Sequence, residues 1–166
     1  MYAAASSLHG AAIQRLARGY EADPDKRKDL LQEMHLELWK SFRLFDNRCS
    51  MRTWVYRVAH NVGASHVVRN RRLSSRLTDL ETLEGETPRI PEAPVDRQLM
   101  AARIFDLIHC LNPLDRQIIM LYLEGEAAGP IAEVTGLSPA NVGTKIHRIK
   151  KVLKQQYMEG AAHERP

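Results

Sequence analysis

The sequence predicts an all-α protein of two small helical domains joined by an extended acidic linker, the C-terminal domain being a helix-turn-helix. Three observations carry this. Apolar residues recur at spacings of three and four wherever a pattern is present, and no segment alternates as a strand would. Asp23-Pro24, Asn112-Pro113 and Ser138-Pro139 each join a capping side chain to a proline at the first helical position, where a missing N–H does no harm. Between the patterned halves, Pro88, Pro91 and Pro94 fall among Asp79, Glu81, Glu84, Glu86, Glu92 and Asp96, and prolines so spaced favour extended chain.

The elements follow in order. Leu8, Ala12, Ile13, Leu16 and Tyr20 mark a short amphipathic helix. After the Asp23-Pro24 start, Leu30, Leu31, Met34, Leu38, Phe42 and Phe45 continue at helical spacing. Residues 46–50 break the pattern with a polar loop. A third helix is expected from Met51 to about Arg72, with Met51, Val55, Val58 and Val62 inward and Thr53, Tyr56, Arg57 and His60 outward. Periodicity then fails through Val95. Arg97 to Cys110 and Pro113 to Leu123 are the next helices; Gly125, Gly129 and Pro130 precede one ending at Thr135. Gly136 takes the left-handed conformation cheaply, and Ser138 caps the last helix. The expected division is residues 1–72, a linker over 73–95, residues 96–157 and a tail over 158–166. Since 77–95 hold few apolar groups, the two halves are expected to fold separately.

That last helix sets the functional question. Val142, Ile146, Ile149, Val152, Leu153 and Tyr157 form its inner stripe, while Thr144, His147, Arg148, Lys151, Lys154 and Gln155 lie on the reverse. No acid occurs between Leu137 and Tyr157. A one-signed face attracts a polyanion, and after a glycine turn it fits a helix entering the DNA major groove.

Composition narrows the class. At 44% apolar and 27% charged residues the chain is globular rather than disordered, and its net charge of +4 is unevenly laid out. Residues 52–76 carry Arg52, Arg57, Arg69, Arg71, Arg72 and Arg76 without one acid. Cys49 and Cys110 lack zinc-binding spacing and are expected as free thiols in a reducing cytoplasm; Cys49 reads as an ordinary small loop residue, with redox sensitivity as the alternative. The seven histidines do not cluster at ligand spacing, and no nucleophile-base set appears, so neither a metal, a cofactor nor an enzyme activity is expected. No apolar run reaches the length of a membrane span, and no signal peptide precedes the first helix, so a cytoplasmic protein is expected.

Two pairs of stretches, KDLLQEMHLELWKSF with TWVYRVAHNVGASHVVRNRR, and LNPLDRQIIMLYLEG with IAEVTGLSPANVGTKIHRIKK, resemble the extracytoplasmic-function group of bacterial RNA polymerase sigma factors. Any one motif is common; their order is specific. The resemblance covers about Leu8 to Arg72 and Asp96 to Tyr157 and implies a non-enzymatic initiation factor. Its first domain would bind core RNA polymerase and melt the downstream promoter element, and its second would read the upstream element. An anti-sigma factor is a further partner implied by the family alone.

The resemblance assigns polymerase binding to Asp29, Leu30, Gln32, Glu33 and Leu36, with Leu31, Met34 and Leu38 on the inner stripe. It gives the downstream element the loop residues Asn47, Arg48 and Ser50 with Tyr56, Arg57 and Asn61 on the adjoining helix. Opening DNA requires a pocket for a base out of its stack, and a polar loop supplies hydrogen-bonding groups. Arg57, Arg69, Arg71 and Arg72 suit phosphates rather than bases; Trp54 is either a core aromatic or a DNA contact. On the last helix Asn141, Thr144, Lys145, His147, Arg148 and Lys151 are the upstream candidates. The chain departs from the family at Ser65, where aspartate is usual, at Gly129-Pro130, which replaces an acidic pair, and at Gly143, a position often held by Lys or Arg. The competing readings are a free-standing helix-turn-helix regulator and a sigma mimic that binds a regulator.

Overall fold

The computed structural model describes residues 2–78 and 97–163, and within them every element is a helix. They are α1 (Tyr2–Tyr20), α2 (Pro24–Ser41), α3 (Met51–Thr78), α4 (Arg97–His109), α5 (Pro113–Leu123), α6 (Ala128–Thr135) and α7 (Pro139–His163). The linker expected over 73–95 lies, from residue 79 onward, outside the described residues.

The start signals work as their chemistry requires. Asp23 accepts from the backbone N–H groups of Asp25 and Lys26 at 2.9 and 3.0 Å, and Asn112 accepts from Asp115 N–H at 2.9 Å. Gly136 closes α6 at φ 75°, and the Ser138 hydroxyl accepts from Asn141 N–H at 3.3 Å. Boundaries differ where sequence pattern is silent. Alanines, the best helix formers, carry α1 back to Tyr2. Helix α2 stops at Ser41, leaving the Phe45 ring against Phe42 and Trp54. Helix α3 continues past Arg72 to Thr78, and α7 past Tyr157 to His163.

The largest departure lies on α3. Val55 is buried and Met51, Val58 and Val62 pack against the core as expected, but a second stripe is buried as well. Thr53, Tyr56, His60, Gly63 and Val67 recur at three and four, and Tyr56, His60 and Gly63 meet His9 and Tyr20 of α1. The Tyr20 hydroxyl lies 2.8 Å from His60 Nδ1, and His9 stacks obliquely on Tyr56. A side chain at Gly63 would meet the Tyr20 ring, so glycine is accepted inside the helix to let that ring sit down. The expectation that Thr53, Tyr56 and His60 face solvent is therefore corrected. Val152, expected inward on α7, is exposed.

His60 makes a pH prediction. It is fully buried without a neighbouring carboxylate, and burial pushes its imidazole down to about 3. In the unfolded chain it takes up a proton near pH ~6.5. Between those values only the unfolded state is protonated, so stability rises with pH and falls on acidification. Its share is about 1.4 kcal/mol per unit below pH ~6.5. The drop in thermal midpoint from pH 7 to pH 5 should shrink in His60→Leu; an unchanged slope would remove His60 from the account.

The halves also touch. The described core is continuous from Ile13, Leu16 and Tyr20 through Met34 and Val55 to Ile118, Met120, Ile131, Val142 and Ile149. Met120 of α5 lies against Gly19 of α1, His109 Nε2 lies 2.8 Å from the Arg18 carbonyl oxygen, and the Arg18 guanidinium covers the Phe105 ring. Arg116 is buried at this seam, donating to the carbonyls of His109 and Leu111 with its guanidinium over Tyr20. The halves therefore pack on one another, which the apolar content of the linker could not reveal.

Candidate nucleic-acid interface

Three surfaces carry the candidate residues. The first is the outer face of α2. Asp29, Gln32 and Leu36 are exposed there, whereas Leu30 is fully buried with Met34 and Leu38 and is core, not a docking residue. Met34 and Leu38 are buried as expected, but Leu30 is the deep member of the stripe and Leu31 only half-buried. Glu33 is half-buried and receives two hydrogen bonds from Arg69 of α3, at 2.8 and 3.2 Å. Those bonds hold the Glu33 carboxyl below its usual range and commit Arg69 to tying α2 to α3. Sequence reasoning missed Trp39: it is 51% exposed one turn beyond Leu36, itself 50% exposed, with Arg43 over its ring. An exposed Leu-Trp pair on an otherwise polar helix face is the mark of a protein contact.

The second surface is the loop and the start of α3. Asn47 adopts φ 61°, a left-handed conformation that asparagine tolerates better than most residues. Arg48 pairs with Asp46 at 3.0 Å. The Ser50 hydroxyl accepts from Thr53 N–H at 3.0 Å and so caps α3. Asp46, Asn47, Arg48, Cys49, Ser50, Thr53, Trp54 and Arg57 line an open cavity of about 970 Å³, to which Pro130 and Glu133 of α6 add a wall. Trp54 packs against the core, where its indole N–H donates to the Ser41 hydroxyl at 3.0 Å, and it also lines this cavity. Asn61, Arg71 and Arg72 are exposed farther along α3. Tyr56 is not: only 3% of it is accessible, with its hydroxyl 3.5 Å from Glu124, so it does not face solvent as the sequence suggested.

The third surface is α7. Asn141, Thr144, His147, Arg148 and Lys151 are exposed, and Lys145 is half-buried. Asp115, buried at the start of α5, organises two of them. Its carboxylate accepts from Lys145 Nζ at 2.8 Å, from Arg148 Nη2 at 2.9 Å and from Asn112 Nδ2 at 2.8 Å. Burial alone would raise this carboxyl, but the Lys145, Asn112 and Arg148 hydrogen bonds outweigh it and hold it below the usual range. Asp115 was also missed, because a lone acid in an apolar helix has no periodic signature.

The departures from family pattern are small in structure. Ser65 is exposed, α6 starts at Ala128 without a side-chain cap, and the space around Gly143 is open. Among the described residues no His, Cys, Asp and Glu group could hold a metal, and no helix is long and apolar enough to cross a membrane. Cys49 and Cys110 are free thiols.

The expectation that α7 reads DNA assigns different effects to different positions along it. Arg148→Ala is expected to weaken binding of an upstream-element duplex by about 1–3 kcal/mol and to relax its sequence preference. Lys154→Ala, farther from the turn, should weaken all sequences evenly and reduce the salt slope by about one. Titration of cognate and scrambled duplexes over a salt series reads both, and an unchanged preference in Arg148→Ala would move the reading face elsewhere.

Comparison with known proteins agrees in both halves. The family model for sigma-70 region 2 matches residues 7–73, and that for sigma-70 region 4 matches residues 101–153. The ECF RNA polymerase sigma factor SigX of Bacillus subtilis (strain 168) is 25% identical over 138 residues, covering 80% of this chain and 71% of its own. Two solved structures share the fold. The sigma factor RpoE of Bartonella quintana, in complex with the anti-sigma factor NepR, aligns with a TM-score of 0.69 at 18% identity, covering 90% of this chain and 92% of that one. CnrH in complex with the cytosolic domain of CnrY gives 0.68 at 21% identity, covering 95% and 88%.

Proposed function

The chain belongs to the extracytoplasmic-function group of sigma-70 factors, which direct transcription initiation with core RNA polymerase at promoter DNA, and from that premise we propose how its surfaces divide the work. The exposed face of α2, Asp29, Gln32, Leu36 and Trp39, docks on core polymerase. The loop Asn47 to Ser50 and its cavity accept an unstacked base of the downstream element, with Arg57, Asn61, Arg71 and Arg72 along the neighbouring strand. Helix α7 lies in the major groove of the upstream element, and Asn141, Thr144, Lys145, His147, Arg148 and Lys151 supply its contacts.

The observation that carries this reading is the pairing of a cavity at the polar loop of the first half, walled in part by α6, with an acid-free helix face on the second, each exposing groups suited to a different state of DNA. Neither half alone specifies a start site. No chemical step is asked of the chain, and it works in the compartment that holds the polymerase, the cytoplasm. Domain boundaries near residues 72 and 96 fit this division.

An anti-sigma factor is the further partner we propose. One structural relative, RpoE, is in complex with the anti-sigma factor NepR, and another, CnrH, with the cytosolic domain of CnrY. An open apolar groove of about 840 Å³ between α4, α5 and α7, walled by Met100, Ile104, Leu107 and Leu123 and edged by Lys150 and Lys154, suits an amphipathic segment with acidic flanks.

Run-off transcription with purified core polymerase on a genomic promoter library tests the function. The chain should create start sites that core polymerase alone does not use. Binding to DNA without any new start site would favour a free-standing regulator, and neither activity would favour a sigma mimic.

A further inference from the structure

The seam between the halves is built from opposite charges. Glu124 and Glu126 lie in the turn after α5, and their side chains are only 6% and 12% exposed. Glu124 accepts from Arg15 Nε and Nη2, both at 2.6 Å, and its backbone carbonyl accepts from Arg52 Nη2 at 3.1 Å. Glu126 contacts Arg52 Nε. Arg57 Nη2 donates to the Glu133 carbonyl at 2.9 Å, and Pro130 and Glu133 wall the loop cavity. The beginning of the helix-turn-helix thus covers the start of α3, and carboxylates meet Arg15 and Arg52 as phosphates would.

We propose that the free chain is self-closed, with the Glu124-Gly125-Glu126 turn acting as an intramolecular competitor of the DNA backbone on the promoter-facing side of α3. The proposal rests on the reading of that side as promoter-facing. Exposed ion pairs stabilise little, but these carboxylates are nearly enclosed and the apolar Met120 contact lies beside them. Closure reduces apparent affinity for DNA by the fraction of chain that is open, so weakening the turn strengthens binding without touching a DNA contact. It also explains why Tyr56 is buried: the same turn sits over it.

The test uses the full chain, with Glu124→Gln and Glu126→Gln combined. Cys49 and Cys110 place one native labelling site in each half, so energy transfer between dyes there reports closure. Binding of unlabelled protein to a short mixed-sequence single-stranded DNA reports access to α3. Asp25→Asn with Glu159→Gln, two exposed acids outside the seam, removes the same charge and is the control. The seam variant should lose transfer efficiency and bind DNA about three- to tenfold more tightly than this control. Unchanged transfer, or affinity no higher than the control's, overturns the proposal. Wild-type run-off transcription with core polymerase is measured in parallel, so a failed seam can be told from a failed assignment of function.

Discussion

Replacing Asn47, Arg48 and Cys49 by Gly-Ser-Gly is expected to lower transcription from duplex promoters by about tenfold or more, leaving folding and core-polymerase binding intact. Taking a base out of its stack costs a few kcal/mol, and the groups that receive it return about 1–3 kcal/mol. Ser50 is kept because its hydroxyl caps α3, and its loss would mix a folding defect into the result. Glycine at position 47 accepts the φ of 61°, so the backbone path is preserved while the side chains lining the cavity are removed. A template already unpaired around the downstream element should recover part of the activity, since no unpairing energy is then required. Equal losses on paired and unpaired templates would assign the loop to another step, and no loss on either would make it a plain connector.

Much of this was legible before any coordinates, for reasons that differ by element. Capping residues act on the backbone beside them, so Asp23, Asn112 and Ser138 announced three helix starts that the structure repeats. The acid-free face of α7 was legible because charge is a property of composition. The second buried stripe of α3 was not. Its members include Thr53, Tyr56 and His60, residues whose polar atoms disguise burial until the partner is known, and the partner of His60 is Tyr20, forty residues away. Leu30 was given a docking role by the family resemblance, although periodicity had already grouped it with Met34 and Leu38, and burial sides with the periodicity. The seam was invisible altogether, because Arg15 and Glu124 are charged residues of the kind expected at a surface, and only long-range packing brings them together and encloses Glu124.

Asp115 belongs to the same hidden class and carries the remaining large effect. Asp115→Ala should destabilise the second half by about 1–3 kcal/mol and reduce discrimination for the upstream element. The stability loss has two sources: Asn112 loses the carboxylate it donates to at the start of α5, and Lys145 and Arg148 are left without their counter-charge. The figure is held below that for a fully buried pair because the Arg148 side chain is 63% exposed and water screens it. Since the Asp115 carboxyl is held below its usual range, its contribution is complete above pH ~4 and disappears as the pH falls through the lower folded value. The effect on DNA depends on what the pairing does. If Asp115 holds Arg148 by one nitrogen so that the rest of the guanidinium points outward in a fixed pose, releasing it leaves the charge but loses the orientation. Cognate binding should then fall toward the level of scrambled duplex, while scrambled binding holds or rises slightly as a carboxylate is removed. Competition between the two duplexes at constant salt, with Asp115→Asn as the variant closest in shape, measures this. Tighter binding to the cognate duplex in both variants would mean that Asp115 merely sequesters the cations, and the orienting role would be withdrawn.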